Sequence, residues 1–498
     1  IVTMVRNYKR KTNFGATPQH IYDKAVKEVI DGIMTLRAAA KKYNVNVMTL
    51  QRYKTKITDP NIKVPASIGW PKHTVFTQNQ ETELVLYTKQ SSRIYFGLSG
   101  TDLRSLAFQF GKANNVKMPD NWYNNCSAGE DWLYCFLKRN KDLSLRTPQA
   151  TSLSRATSFN KHNVKSFFEN LCKLYDRFKF EPHNIYNVDE TGVTTVHRPS
   201  KILAVKGTKQ VGAITSGERG TLVTVALAVS AIGNTVPPMF LFPRKKMKPW
   251  FLTNSPVGSI GNANSSGWMT GDDFLIFIKH FCKNVKPSID QPILLLLDNH
   301  ESHLNIEVLK FCKLNGVVLL SFPPHCSHKL QPLDRSVFRS FKTAIHKFSD
   351  SWMRNNHGRP MSIYDIPFIV KQALPMAATM SNIQSGFKVS GIWPYNPDIF
   401  TDEEFLPSYI TDRPQETNNL NTITADETNQ NNINELPIQS PSTSQVQTMH
   451  THQTYDNYVS PEQIRPFPKA GVRTTNSKIQ RRKRKSTILT DTPEKEKI

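Results

Sequence analysis

Apolar positions recur at helical spacing over the first 60 residues and again over 76–146, then give way to short continuous apolar runs after 182. In the first stretch, Ala25, Val26, Val29 and Ile30 mark one face of a helix. "TLRAAAKKYNV" predicts a second short helix with Thr35 as its N-cap, and "NVMTLQRYKTK" a third with Leu50 and Tyr53 facing inward, the two joined by a turn at Asn44. In the second stretch "ETELVLYTKQ" and "GTDLRSLAFQFGKAN" are amphipathic. "SAGEDWLYCFLKRN" places Ser127 as N-cap, Glu130 at the capping-box position and Trp132, Leu133, Phe136 and Leu137 in an apolar stripe. From 182 to 335 the strand-like runs "LVTVALAVSA", "PPMFLF", "ILLLLD" and "VVLLSFP" alternate with the helical connectors "GDDFLIFIKHFCKNV" and "HLNIEVLKFCKLNG". That alternation predicts an α/β layer with at least a partly parallel sheet.

These textures divide the 498 residues into a helical unit at 16–60, a Pro/Gly-bearing linker at 61–75, a second helical unit at 76–150, an α/β domain at 160–400 and a tail at 401–498 that is expected to be disordered. Residues 401–450 are rich in Asn, Thr, Gln, Ser and Pro and are expected to be disordered. The tail also carries a basic cluster at 478–485: Lys478, Arg481, Arg482, Lys483, Arg484 and Lys485. This reads as a nuclear import signal, with a solvated charge run as the alternative.

Composition adds a partner. Net charge is +24, with an isoelectric point near 9.7, and such an excess draws a chain toward polyanions, nucleic acid first. No stretch approaches the roughly 20 apolar residues of a spanning helix, which argues against a membrane partner. The six cysteines show no CxxC spacing, as expected of reduced intracellular thiols. No secretory signal opens the sequence, and Met4 is the expected start of translation, with Ile1 to Thr3 either upstream translation or a fragment edge. Residues 1–60 hold 12 Lys/Arg against 4 Asp/Glu. Helix, short helix, turn and basic helix in that order follow helix-turn-helix grammar. Lys41, Lys42, Thr49, Arg52, Lys54 and Lys56 are the DNA-binding candidates there, and Lys138, Arg139 and Arg146 at the exit of the second unit are candidates for phosphate contacts. A small helical bundle that binds nothing is the alternative.

Three acids stand out. Asp189 follows "IYNV", Asp298 ends "ILLLL", and Asp334 lies 36 positions later in "PPHCSHKLQPLD". The first two are expected to close apolar strands, where sites form in α/β sheets. Each has a structural alternative: an ion pair for Asp189, backbone amides for Asp298, a helix cap for Asp334. Together, in a basic chain, three carboxylates suit two Mg²⁺ (or Mn²⁺) ions acting on a phosphodiester. His300, His303, His325 and His328 with Cys326 invite zinc, but their spacing matches no standard finger; His300 or His325 near phosphate is the other reading.

The motifs "NVDETG", "LLLLDNHESH", "PPHCSHKLQPLD" and "SGIWPYNPDIF" resemble, in order, the blocks of the pogo/Tigger/jerky-like branch of the mariner superfamily of transposases and their domesticated relatives. "KAVKEVIDG" through "QRYK" is similar to a pipsqueak-type helix-turn-helix, and "AGEDWLYCFLKRNKDLSLRTPQATSLSRA" to the end of a centromere-protein-B-type one. The resemblance implies two all-α helix-turn-helix domains, an RNase H-like DDE endonuclease domain, and Asp189, Asp298 and Asp334 as catalytic and metal-binding triad, with Glu190 not a ligand. It also implies cutting at terminal inverted repeats and insertion at TA dinucleotides. One departure is "IGWPKH", an untidy fit to the family's Gly-Arg/Lys-Pro linker run.

Two functions follow. One is a metal-dependent DNA transposase, nuclear and working as a homodimer on double-stranded DNA. The other is a domesticated, sequence-specific DNA-binding protein without transposition activity. The intact triad favours the first, because mutually repelling carboxylates have little structural use.

Overall fold

The computed structural model describes residues 17–58, 74–411, 458–471 and 485–491. The chain forms two compact units, one taking 1–83 and 111–125, the other 84–110 and 126–498.

In the first unit, α1 (Gln19–Ile30), α2 (Leu36–Lys42) and α3 (Val47–Thr58) enclose a small core of Tyr22, Ala25, Val26, Ala39, Ala40, Leu50 and Tyr53. Thr35 caps α2 by accepting from the Ala38 amide, as expected. Asn44 makes the turn at φ 47°, and the Asn46 side chain accepts from the Met48 and Thr49 amides to start α3. The Tyr53 hydroxyl donates to Asp23 at 2.5 Å, which ties α3 to α1.

Residues 76–150 contain α4 (Gln78–Arg93), α5 (Gly100–Ala113), α6 (Asp120–Asn125) and α7 (Glu130–Arg139). Trp132 and Phe136 are buried as the stripe requires. The cap differs from the expectation: α7 starts at Glu130 behind Gly129, with no side-chain cap. The Ser127 hydroxyl donates to the Ala128 carbonyl, and Glu130 pairs with Arg104 at 3.5 Å instead of reaching back.

After α8 (Leu153–Ser158) and α9 (Lys161–Phe178) comes the sheet: β1 (Ile185–Thr194), β2 (Leu222–Ser230), β3 (Thr235–Pro243), β4 (Ile260–Asn264), then α10 (Gly271–Val285), β5 (Ile293–Leu297), α11 (Ile306–Leu314) and β6 (Val317–Ser321). Strand order is β4-β3-β2-β1-β5-β6. β1, β2 and β3 are antiparallel neighbours, whereas β5 and β6 run parallel to β1, so the sheet is mixed. Both faces are buried, which is why the strands read as unbroken apolar runs. Along β1 the period of two sends Ile185 and Val193 to a core with Phe167 and Leu171 of α9, and Tyr186 and Val188 to a core with Phe277 and Phe281 of α10.

Downstream lie α12 (Ser327–Leu330), one π-helical turn (Leu333–Val337), α13 (Phe338–Asn355), α14 (Ile366–Ala377), α15 (Met380–Val389) and α16 (Asp402–Thr411). Gly386 of α15 is needed for close approach: a Cβ there would stand 2.5 Å from both the Pro332 carbonyl and Ser336 Oγ, so no larger residue lets α15 support the π turn.

The expectation of a disordered tail from 401 is corrected on the described residues. α16 buries Phe405, Pro407 and Ser408, and 485–491 lies along β6. The reason is a few apolar anchors in a polar sequence; Leu489 is buried in the α10-side core. Of the basic cluster, Lys478 and Arg481 to Arg484 lie outside the described residues.

Candidate active site

Asp189 does not end its strand, contrary to the expectation. β1 runs on through "ETGVT", paired with β2 from Asp189↔Leu227 to Thr194↔Leu222. What ends at this level is the parallel pairing with β5, whose last registered pair is Asn187↔Leu296. Continuing that offset of 109 puts Asp298 level with Asp189 on the neighbouring strand, about 4.8 Å away in backbone spacing.

The alternation of β1 separates the two adjacent acids. Asp189 shares parity with Ile185 and Asn187 and faces the α9 side; Glu190 shares parity with Tyr186 and Val188 and faces the α10 side. On that side His303 sits between two carboxylates, Nε2 3.2 Å from Glu190 Oε1 and Nδ1 2.9 Å from Asp298 Oδ1. Its ring lies 4.2 Å from that of Phe274 and is buried. Burial pushes the His303 imidazole down, but Glu190 and Asp298 outweigh it and carry its pKa to about 10. Burial likewise pushes Asp298 up, and the His303 hydrogen bond and charge, with the His300 amide, more than reverse this and hold its carboxyl low. Sequence reasoning offered His303 only as a zinc candidate, because its two partners converge on it only in the fold.

Asp334 arrives by a latch. The buried Asn187 side chain donates to the Leu296 carbonyl (3.1 Å) and to Gln331 Oε1 (3.0 Å), and accepts from the Leu333 amide (3.1 Å). Gln331 Nε2 donates back to the Val188 carbonyl. The first ties β1 to β5, and the other three clamp the start of the π turn onto β1, with Asp334 one residue further on. Asn187→Ala strands Gln331 Oε1 and the Leu333 amide in a buried site, at a cost of about 3 kcal/mol. A urea midpoint that falls with an unchanged m-value checks it.

The three aspartates feel one another's charge. Asp189 is pushed well above the usual carboxylate range by burial, then by Asp334, Glu190 and Asp298. Asp334 is raised by desolvation against the surrounding protein and by Asp298, against the offsetting charges of Lys342 and Arg155. Carboxylate oxygens are hard donors that suit Mg²⁺ or Mn²⁺ chemically. Among the described residues, however, no group of three His, Cys, Asp or Glu side chains is already drawn into a metal-binding cluster. Asp298 is held by His303, so side-chain adjustment is required before all three carboxylates converge. The zinc set is not assembled: the Cys326 thiol donates to the Ser158 carbonyl, and His328 Nδ1 lies 3.2 Å from the carbonyl of His325.

On α3, Arg52 and Lys56 are exposed, Lys54 and Thr49 half-buried. On α2, Lys41 is exposed, whereas Lys42 is tied to Glu28 at 2.9 Å and braces α2 against α1. Lys138 and Arg139 occupy the last turn of α7, exposed, and Arg146 lies beyond it.

Residues 221–387 match the DDE superfamily endonuclease family, and residues 22–59 match the helix-turn-helix Psq domain. Asp298 and Asp334 fall inside the first match, and Asp189 lies before it. Curated relatives include the "MFS-type transporter clz9" of Cochliobolus lunatus, 27% identical over 46% of this chain and 25% of that protein. Another is the "Pogo transposable element with ZNF domain" of Homo sapiens, 28% identical over 25% of this chain and 8% of that protein. This chain therefore spans a quarter or less of the length of these relatives. No helix among the described residues is long and apolar enough to cross a membrane. Similar solved structures include the Mos1 strand transfer complex (TM-score 0.38, 11% identity, covering 76% of this chain and 95% of that one) and the Mos1 mariner paired end complex with Mn (TM-score 0.38, 13% identity, covering 76% and 98%).

The chain thus joins a segment similar to the Psq helix-turn-helix with one similar to DDE superfamily endonucleases, the latter on a mixed α/β sheet. These matches bear out the resemblance of its motifs to pogo-type transposases.

Proposed function

We propose that this protein is a transposase-type endonuclease that cuts and joins double-stranded DNA at ends recognised by its helical domains. The observation that supports the reading is that Asp189 and Asp298 lie level on adjacent parallel strands while the Asn187–Gln331 latch holds the turn that carries Asp334 against β1. Asp189, Asp298 and Asp334 would hold two Mg²⁺ or Mn²⁺ ions. When bound, such ions supply Lewis acidity at the phosphodiester and lower the pKa of water. The protein's own part is positional. β1 and β5 fix the first two carboxylates, the Asn187–Gln331 latch fixes the third, and His303 orients Asp298. Arg155 and Lys342, which offset the charge of Asp334, are placed to meet a DNA phosphate at the same rim.

The helices at 76–150 serve as a second, centromere-protein-B-type DNA-binding unit, so the recognised site is bipartite. Two ends held together call for a homodimer. The basic run at 478–485 directs the protein to the nucleus.

The test is nicking of a plasmid carrying the candidate ends, with Mg²⁺, with Mn²⁺ and with a chelator. Metal-dependent nicking supports the reading, and cleavage that is indifferent to the chelator overturns it. Arg52→Ala, at an exposed position of α3, is expected to weaken binding to specific DNA by about tenfold, in the range of one bidentate base contact. A gel-shift titration against specific and random duplexes checks it; equal loss on both would make Arg52 a phosphate contact.

A further inference from the structure

β6 would be the open edge of the sheet, and unpaired edge groups are a template for a further strand. Residues Lys485–Asp491 take that place. The Ser321 amide donates to the Thr487 carbonyl (3.1 Å), the Leu489 amide to the Leu319 carbonyl (3.0 Å), and the Leu319 amide to Thr490 Oγ1 (3.3 Å). Ser486 Oγ donates to the Ser321 carbonyl at 2.6 Å. Side chains alternate as on a true strand: Leu489 enters the α10-side core and Ile488 packs on the α9-side core. Asn170 of α9 donates to the Ser486 carbonyl, and Arg177 pairs with Asp491 at 3.4 Å.

The upstream end of this segment is set by the active site itself. Asn299, next to Asp298, donates its side-chain amide to the Lys485 carbonyl at 3.0 Å. Lys485 is exposed. A corner crowded with carboxylates repels a DNA backbone, so a fixed cation at its rim is what a phosphodiester needs there.

Resting on the endonuclease reading above, we propose that Lys485–Asp491 is a clip whose docking on β6 sets Lys485 beside Asp298 as a contact for the phosphodiester backbone of the strand being cut. The clip separates two jobs within one tail: apolar Ile488 and Leu489 supply anchorage, and Lys485 supplies charge.

The experiment uses the full chain and a random-sequence duplex, with binding measured in chelator so that cleavage plays no part. Affinity is followed against salt for wild type, Lys485→Ala and Leu489→Asp. Lys485→Ala is expected to lower the slope of log affinity against log salt by about 0.9, the loss of one phosphate contact. Leu489→Asp adds one negative charge away from Lys485 and is expected to lower the slope at least as far, by unseating the clip. Because Leu489 is part of the buried core, Thr487→Pro, which removes the amide that donates to Ser321 Oγ, repeats the test, with thermal unfolding as the folding control. An unchanged slope in Lys485→Ala, or in both clip variants, overturns the proposal. Wild type that binds with the expected slopes but never nicks overturns the endonuclease reading and leaves the clip standing.

Discussion

Asp298→Ala is expected to reduce metal-dependent nicking by about a thousandfold or more, in the range found when a central catalytic group is removed, while DNA affinity in chelator stays within about twofold. The separation follows from the architecture. DNA recognition is assigned to α3, whose core of Tyr22, Leu50 and Tyr53 contains no catalytic-domain residue. The acid stands at the end of β5 in a different compact unit. Asp298→Asn is the sharper companion: it keeps an oxygen acceptor for His303 Nδ1 and removes only the charge. If the charge is what matters, the two variants are equally dead. If Asp298 served only to seat His303, the Asn variant would recover most of the activity. Retained nicking in both would remove Asp298 from the site.

His303→Ala is expected to destabilise the catalytic domain by about 3–5 kcal/mol, the range for removing one partner from a buried ionic group. The ring is 2% exposed and bridges Glu190 and Asp298; without it two carboxylates face one another with their cation gone. Urea unfolding at pH 7 measures the loss. The pH dependence carries a sign. The folded pKa of His303 is raised to about 10, so its contribution is fully present below the ordinary imidazole value near 6.5 and is lost as pH rises toward 10. In metal-free buffer the wild-type midpoint should therefore fall between pH 7 and 10, and the His303→Ala midpoint should fall less. Parallel curves would show that the imidazole is neutral in the fold.

Much of this was readable in the chain because it is local. α10 begins and ends where its pattern predicts, Gly271–Val285, since Thr270 and Asp273 form a capping box directly ahead of an apolar stripe. The runs that became β2, β3, β5 and β6 are apolar because both sheet faces are covered. β4 was missed because "IGNAN" carries no such signal; pairing with β3 holds it, and Asn262 and Asn264 donate to Asp273. The polar "ETGVT" looked like a strand end because sequence alone does not reveal that β2 would pair with it. The three acids could be picked out by type and position, but not the means of their assembly. Asn187 and Gln331 are 144 residues apart, and His303 reaches Glu190 over 113.

The π turn that carries Asp334 closes with the Phe338 amide bonded to the Leu333 carbonyl, five residues back. Such a turn holds one residue more than an α-helical one. Deleting a single residue between Asp334 and Phe338 would relax it to an ordinary helix and swing the acid by about 100° around the axis, leaving α13 intact and the carboxylate aimed elsewhere. The aim of this acid is thus a matter of counting: one surplus residue in the backbone sets the direction in which Asp334 leaves the helix axis.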